Sequence, residues 1–249
     1  MVVNAIDQSY DPKNRLLHVV LADGSMSILT IYRTEGINAW SRQITDGAFR
    51  AVRTVGDNVY VIVQRAEGFY VERFESSLFL DCARAYTSVA PISTWSGTKG
   101  FSHIPSREVS VILDDIIRDD TMISSGTLHT DIAGTKVQAG LPFTSKIEPL
   151  PPSQLNFAGM QALRLVELKM RLFETSALTL DTGFGPRAIP LSGTILPPPE
   201  TYLPRLSKDV AVRAYGWTSD LMNPLWSIEQ SVPQPFTLLS VTASMKVSS

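Results

Sequence analysis

The chain has 249 residues, 44% of them hydrophobic and only 18% charged, with 22 basic against 24 acidic groups and a net charge of -2. That length suits one large domain or two small ones. The charged fraction lies below the roughly 25% of an average soluble protein, so the surface is covered by uncharged polar groups and prolines or is buried against other chains; the near-zero net charge excludes the bulk positive field on which non-specific nucleic-acid or anionic-membrane binding rests.

In chain order, the first fifteen residues lack the basic start and apolar core of a secretory signal. No apolar run reaches the roughly 18 residues of a membrane helix. The chain is therefore expected to be made in the cytoplasm and to stay soluble or join an assembly. Apolar runs then alternate with turn residues. Leu16 to Leu21 and Met26 to Tyr32 flank Asp23-Gly24, a hairpin signal because glycine accepts the positive φ such turns require. Asp46-Gly47 repeats the device, as do Gly56-Asp57-Asn58, between Phe49–Val55 and Val59–Val63, and Glu67-Gly68 before Phe69–Phe74. Such a meander suits a β-propeller, sandwich or barrel, and about 60 residues make one four-stranded blade and part of a second.

From Leu78 to Ser106 the pattern loosens into Ser, Thr, Gly and aromatic residues, marking a boundary. Glu108 to Leu113 alternates as a strand, Asp114-Asp115 and Asp119-Asp120 bracket Ile116–Arg118, and Thr121 to Leu128 reads extended. Val137 to Phe143 leads into a proline connector, Pro149 to Pro152, which favours an extended linker. Leu163 to Glu174 has helix-forming composition, but from Val166 apolar residues alternate with Glu167, Lys169 and Arg171, and this period of two predicts a strand with a solvated or cross-strand-paired face. A second proline cluster, Pro197-Pro198-Pro199, forms a loop or arm; Val210–Arg213 and Ser227–Gln230 are strands joined through Gly216-Trp217, and Phe236 to Met245 is expected as a buried strand closing a sheet. The chain is thus read as mainly β: a partial propeller-like or meander segment over residues 1–78, a β-rich domain with loops over 79–152, and a β-rich C-terminal part over 153–249. The latter two make a sandwich or barrel-like domain with proline-rich arms.

Few constellations carry chemistry. One cysteine, Cys82, and three scattered histidines, His18, His103 and His129, argue against a disulfide within the chain, a thiolate zinc site and a histidine-rich centre. The four aspartates at 114, 115, 119 and 120 could hold a hard cation, but their spacing does not match a calcium loop, and turn carboxylates are the simpler reading. No Gly-x-Ser-x-Gly elbow or phosphate loop occurs, so no catalytic, cofactor or metal residues are assigned. Of the four tryptophans, Trp40 lies in a strand context and is expected in the core, whereas Trp95 and Trp217, beside turn glycines, are candidate interface residues together with Pro197, Pro198 and Pro199. Arg50, Arg53, Arg65 and Arg73 could face nucleic acid, but Glu67, Glu72 and Glu75 offset their field.

The hairpin through Ala22-Asp23-Gly24, Ala39-Trp40, Thr45-Asp46-Gly47, Tyr70-Val71-Glu72-Arg73, Pro91-Ile92-Ser93 to Gly97, the run from Ala139 to Pro151, Arg171 to Thr175, and Trp226 to Met245 together resemble the C-terminal half of nozzle or tail-tube proteins of short-tailed bacteriophages and prophage relatives. The resemblance covers most of the chain through structural motifs. It implies a non-enzymatic, propeller-containing virion tail component, made in the host cytoplasm. Copies would form a ring below the portal and adaptor, with DNA passing through it as cargo and no membrane or cofactor involved. Relatives in that family are longer, so the resemblance further implies either that a second chain supplies the remaining propeller blades or that this protein holds a different position in the tail. A receptor- or glycan-binding tail accessory using Trp95 and Trp217 is the alternative; a wall-degrading enzyme would need a paired acid and base.

Overall fold

A computed structural model describes residues 3–151, 162–191 and 204–248. The fold is mainly β, and among the described residues there is no α-helix, only two short 3-10 turns. The chain divides into two compact units, Met1–Cys82 and Ala83–Ser249.

In the first unit β1 (Ala5–Asp11), β2 (Leu16–Leu21), β3 (Met26–Tyr32) and β4 (Ile37–Gln43) form an antiparallel sheet in chain order, and β5 (Ala48–Val55), β6 (Asn58–Arg65) and β7 (Gly68–Arg73) form a second. Val20, Met26 and Ile28 of one sheet and Phe49, Val52, Val59, Val61 and Val63 of the other make a single buried core. The two sheets are therefore stacked face to face, which removes from water the apolar half of each alternating pattern. β1 was not anticipated, because its inward residues are polar: Asp7, Ser9 and Asp11. Those side chains serve the neighbouring edge. Asp7 Oδ2 accepts from Val52 N (2.9 Å) and Ser9 Oγ from Thr54 N (2.9 Å), satisfying donors on β5 that no strand pairs.

The predicted hairpins at Asp23-Gly24, Gly56-Asp57 and Glu67-Gly68 are present. Asp46-Gly47 is not a hairpin turn: it carries the chain from β4 to β5, which lie in different sheets. Glycine is needed there for space, since at Gly47 (φ +140) a Cβ would stand 2.4 Å from the Gln64 carbonyl oxygen.

The second unit starts within β8 (Asp81–Trp95), a fifteen-residue strand where the sequence suggested a loosened connector. Its Ser, Thr and Ala residues suit an exposed strand, and the wide spacing of Tyr86, Val89, Ile92 and Trp95, without a period of two, hid it. With β9 (Glu108–Leu113), β10 (Ile116–Met122) and β11 (Leu128–Leu141) it forms a sheet in the order β10-β9-β11-β8. Asp114 and Asp115 both have positive φ (50° and 66°) and turn β9 into β10, so the strand begins earlier than expected and runs through Asp119-Asp120.

The remainder is a sandwich. β12 (Ser145–Ile147), β14 (Thr179–Asp181), β15 (Arg187–Ala188) and β17 (Ser227–Gln230) form one sheet; β16 (Leu206–Arg213), β13 (Ala162–Thr175) and β18 (Leu238–Ser248) form the other. Leu168, Met170 and Leu172 of β13 pack with Leu178, Leu180 and Ile228 in one core. The alternation read from Val166 is thus the strand's, and the change of phase after Leu165 is a bulge between Leu165 and Glu167. On the opposite face Arg171 pairs with Asp209 across the strands at 2.9 Å and Lys169 with Glu167 at 3.3 Å. β18 is an edge strand with most residues exposed, contrary to the buried strand expected from its β-branched composition. That composition favours strand pairing as such and does not tell a central position from an edge.

Candidate functional site

The thiol and the carboxylates singled out from the sequence are engaged in hydrogen bonds and ion pairs. Cys82 is half-buried beside Glu72, and burial, reinforced by that carboxylate, pushes its thiol up to about 12, which keeps it a poor nucleophile. Arg65, whose side chain is almost wholly buried, sits at the same place. Its guanidinium donates to both Glu72 oxygens (2.9 Å each), to both Asp81 oxygens (3.3 and 3.2 Å) and to the Asp46 carbonyl. Burial pulls the guanidinium pKa down, but the two carboxylates prevail and raise it. This node ties the β4–β5 crossing to β6, β7 and the start of β8.

The aspartates do not form a cluster of free ligands. Asp114 accepts from the Thr135 amide and hydroxyl and the Lys136 amide (2.8–3.2 Å), which hold its carboxyl below the usual range against the opposing effect of burial. Asp120 accepts from Ser110 Oγ at 2.6 Å. Among the described residues no group of three or more His, Cys, Asp or Glu is placed to hold a metal ion. No helix among them is long and apolar enough to cross a membrane.

What the first unit presents instead is two apolar outer faces. In an antiparallel ladder, directly paired residues project on the same side. Opposite the core, Tyr10, Leu17, Leu29 and Trp40 pair in turn and form one row across β1, β2, β3 and β4. Tyr10 is 48% and Trp40 54% exposed; Leu17 and Leu29 between them are half-buried, and Val19 and Leu21 on that face are covered. Trp40 is therefore a surface residue, not the core residue expected from its strand context. Its own strand, β4, is an edge of the four-stranded sheet. On the outer face of the second sheet, Ala51, Ile62 and Val71 make a row across β5, β6 and β7, with Phe69 beside it; Val71 is 76% and Phe69 68% exposed. Arg50, Arg53 and Arg73 edge this face, held by Gln64, Asp7 and Glu75 respectively.

The second unit supplies the contrast. Where its β13 meets solvent, the face carries Glu167, Lys169, Arg171 and Asp209, the charged pattern of a sheet with one wet side. On the outer faces of the first unit the ion pairs Arg42–Asp23, Arg53–Asp7 and Arg73–Glu75 stand beside apolar rows.

Among the interface candidates from sequence, Trp95 is fully buried, which makes it a core group and not a presented one. Trp217 is exposed, as are Tyr215 and Phe184, and the Phe184 ring lies against Gly216, where a Cβ would come within 2.7 Å of it. Pro197, Pro198 and Pro199 lie outside the described residues. The Tyr10–Trp40 row was not identified from sequence, although the pairing of apolar residues on both parities of β2 and β3 was a readable signal. No protein-family model and no curated protein matches the chain.

Proposed function

We propose that the chain is a structural component of a multi-chain assembly, the ring-forming nozzle of a short-tailed bacteriophage tail through which DNA passes. The observation that carries this reading is the pair of apolar outer faces on the Met1–Cys82 unit. Full burial of a large apolar side chain is worth about 1.5–3 kcal/mol, so a fold that leaves Trp40, Phe69 and Val71 open gains by being covered. Two stacked antiparallel meanders, each with apolar residues on its outer face, support the reading of this unit as consecutive propeller blades. The natural cover is a further sheet, from another copy or from a second chain that supplies the remaining blades. Neighbouring adaptor or portal-proximal proteins are the expected contacts of the rest of the ring, and a net charge of -2 suits a wall past which DNA slides without being gripped.

Imaging of intact particles carrying a tagged copy tests this: tag density is expected on the tail axis below the portal. Tag density on peripheral fibres, or absence of the protein from particles, would overturn it.

A second reading rests on a separate observation, the exposed aromatic group Phe184, Tyr215 and Trp217, whose faces could stack on sugar rings in a receptor- or glycan-binding accessory. It predicts that Trp217→Ala abolishes cell or glycan binding while the protein still enters particles.

A further inference from the structure

One end of the β16-β13-β18 sheet in the second unit carries a pair of cations that the fold itself does not use. Arg164 of β13 and Lys246 of β18 are directly paired across the strands, and like charges so placed destabilise a sheet. Among the described residues neither has a carboxylate partner, and the Arg164 Nε is shielded from water without an acceptor. A donor in that state costs free energy until an acceptor reaches it. The other cations along this face are matched within it: Lys169 by Glu167 and Arg171 by Asp209, while Arg213 stands directly across from Glu167. An aromatic group lies beside the unmatched pair. Leu163 and Thr218 form an antiparallel bridge, exchanging backbone hydrogen bonds of 2.8 Å. Leu163 is fully buried, so the next residues along the two segments, Arg164 and Trp217, project on the opposite, outer side. Trp217, Arg164 and Lys246 therefore follow one another across three segments on one face, and Trp217 and its neighbour Tyr215 are exposed. Gly216 between those two aromatics takes a φ of +84, and the Phe184 ring packed against it leaves no room for a Cβ.

We propose that this is a binding site for an acidic sugar, a pyranose ring stacking on Trp217 while its carboxylate bridges Arg164 and Lys246. The proposal deepens the receptor-binding reading and rests on it, by naming the class of glycan. Stacking uses the apolar face of a ring and is indifferent to charge elsewhere on it. The cations supply the choice, since a guanidinium holds a carboxylate through paired, charge-assisted hydrogen bonds. A carboxylate placed there also offsets the repulsion between Arg164 and Lys246, so the bound state repairs a fault of the free one. Nucleic acid fits this face less well. Gripping a phosphate backbone takes several phosphate contacts at once, whereas this end of the sheet offers the cations of a single pair in a chain of net charge -2.

The test is calorimetric titration of the full chain with oligosaccharides of galacturonic, glucuronic and sialic acid, each as the free acid and as the methyl ester, which keeps the ring and removes the charge. At least one free acid is expected to bind wild type about tenfold more tightly than its ester. Arg164→Gln and Lys246→Gln should each abolish most of that preference while leaving affinity for the ester unchanged, and Trp217→Ala should lose both ligands. Because each glutamine relieves the like-charge pair, neither variant should melt below wild type, which separates loss of the site from loss of the fold. Equal affinity of wild type for acid and ester would overturn the acidic-sugar site and leave a receptor for neutral glycans standing. Binding to none of these ligands would overturn it as well, and whether Trp217→Ala still abolishes cell binding then decides the receptor reading separately. Tighter binding of oligothymidylate than of any acidic sugar would overturn it in favour of nucleic acid.

Discussion

Arg65→Met removes a guanidinium that is 2% exposed and leaves Glu72 and Asp81, each 22% exposed in their side chains, facing one another with no cation between them. Breaking a buried ion pair from one side typically costs about 3–5 kcal/mol, because a charge is left desolvated and uncompensated. Here the carboxylates reach some solvent, which argues for the lower end, while the lost donation to the Asp46 carbonyl adds a hydrogen bond at the β4–β5 crossing. We expect about 3 kcal/mol. The measurement is native-state hydrogen exchange on the amides of β6, whose Val61 and Val63 are in the core. Since about 1.4 kcal/mol is a factor of ten, protection there should fall on the order of a hundredfold. Adding Glu72→Gln to Arg65→Met removes one of the stranded charges and should recover part of the loss. A fall of less than tenfold for Arg65→Met, or further loss in the double variant, would refute the view that this node holds the first unit together.

Three shorter predictions concern the same unit. Gly47→Ala places a Cβ against the Gln64 carbonyl at a φ that side chains rarely adopt; strain alone of this kind costs about 1–3 kcal/mol, and the urea midpoint should drop accordingly, whereas an unchanged midpoint would mean that the crossing is loose. His18 is buried against Phe74 with no hydrogen-bond partner for either ring nitrogen among the described residues; burial lowers its pKa below 6.5, with the Asp11 charge acting the other way. The unfolded chain then binds the proton more readily, so stability is complete above pH 6.5 and declines as pH falls from there towards the lowered folded pKa, levelling off below it. In urea melts at pH 7.5 and 5, His18→Leu should lose part of the pH dependence that the wild type shows, and equal slopes would count against a neutral buried imidazole. Cys82, with its thiol raised to about 12, should react with iodoacetamide at pH 8 far more slowly in the native protein than after denaturation; equal rates would contradict its burial.

The parts of the fold that were legible are those in which local chemistry decides the outcome. The Asp23-Gly24 turn and the alternation from Val166 to Leu172 needed no knowledge of neighbours: a positive φ and a period of two are properties of a few residues. β8 and β1 escaped because their apolar residues do not mark a buried face: in β1 the inward positions are Asp7, Ser9 and Asp11 while Ile6 and Tyr10 face outward, and in β8 Tyr86, Val89, Ile92 and Trp95 are too widely spaced to show a period of two. The Asp46-Gly47 step shows a different limit. Its residues specify a tight, glycine-requiring bend, but whether that bend joins partners in one sheet or passes to a second sheet is decided by what lies 17 or so residues on, at Gln64 and Arg65.

Trp40 and β18 show why the candidate surface was the least readable part. A sequence specifies that a residue is apolar and which side of its strand it shares with its neighbours; it does not specify how many layers the fold stacks on that side. At Met170 a second sheet covers the apolar side. At Trp40 and Val71 the same residue chemistry stays exposed among the described residues. An exposed apolar residue taken singly is ordinary, and the first unit would need no explanation if it had only one. It has a row of four paired residues on one outer face and a second apolar row on the other. What sets these outer faces apart is the pairing of their exposed apolar residues into rows, Tyr10 with Leu17, Leu29 and Trp40 on one and Ala51 with Ile62 and Val71 on the other, the form expected where another sheet is to be received.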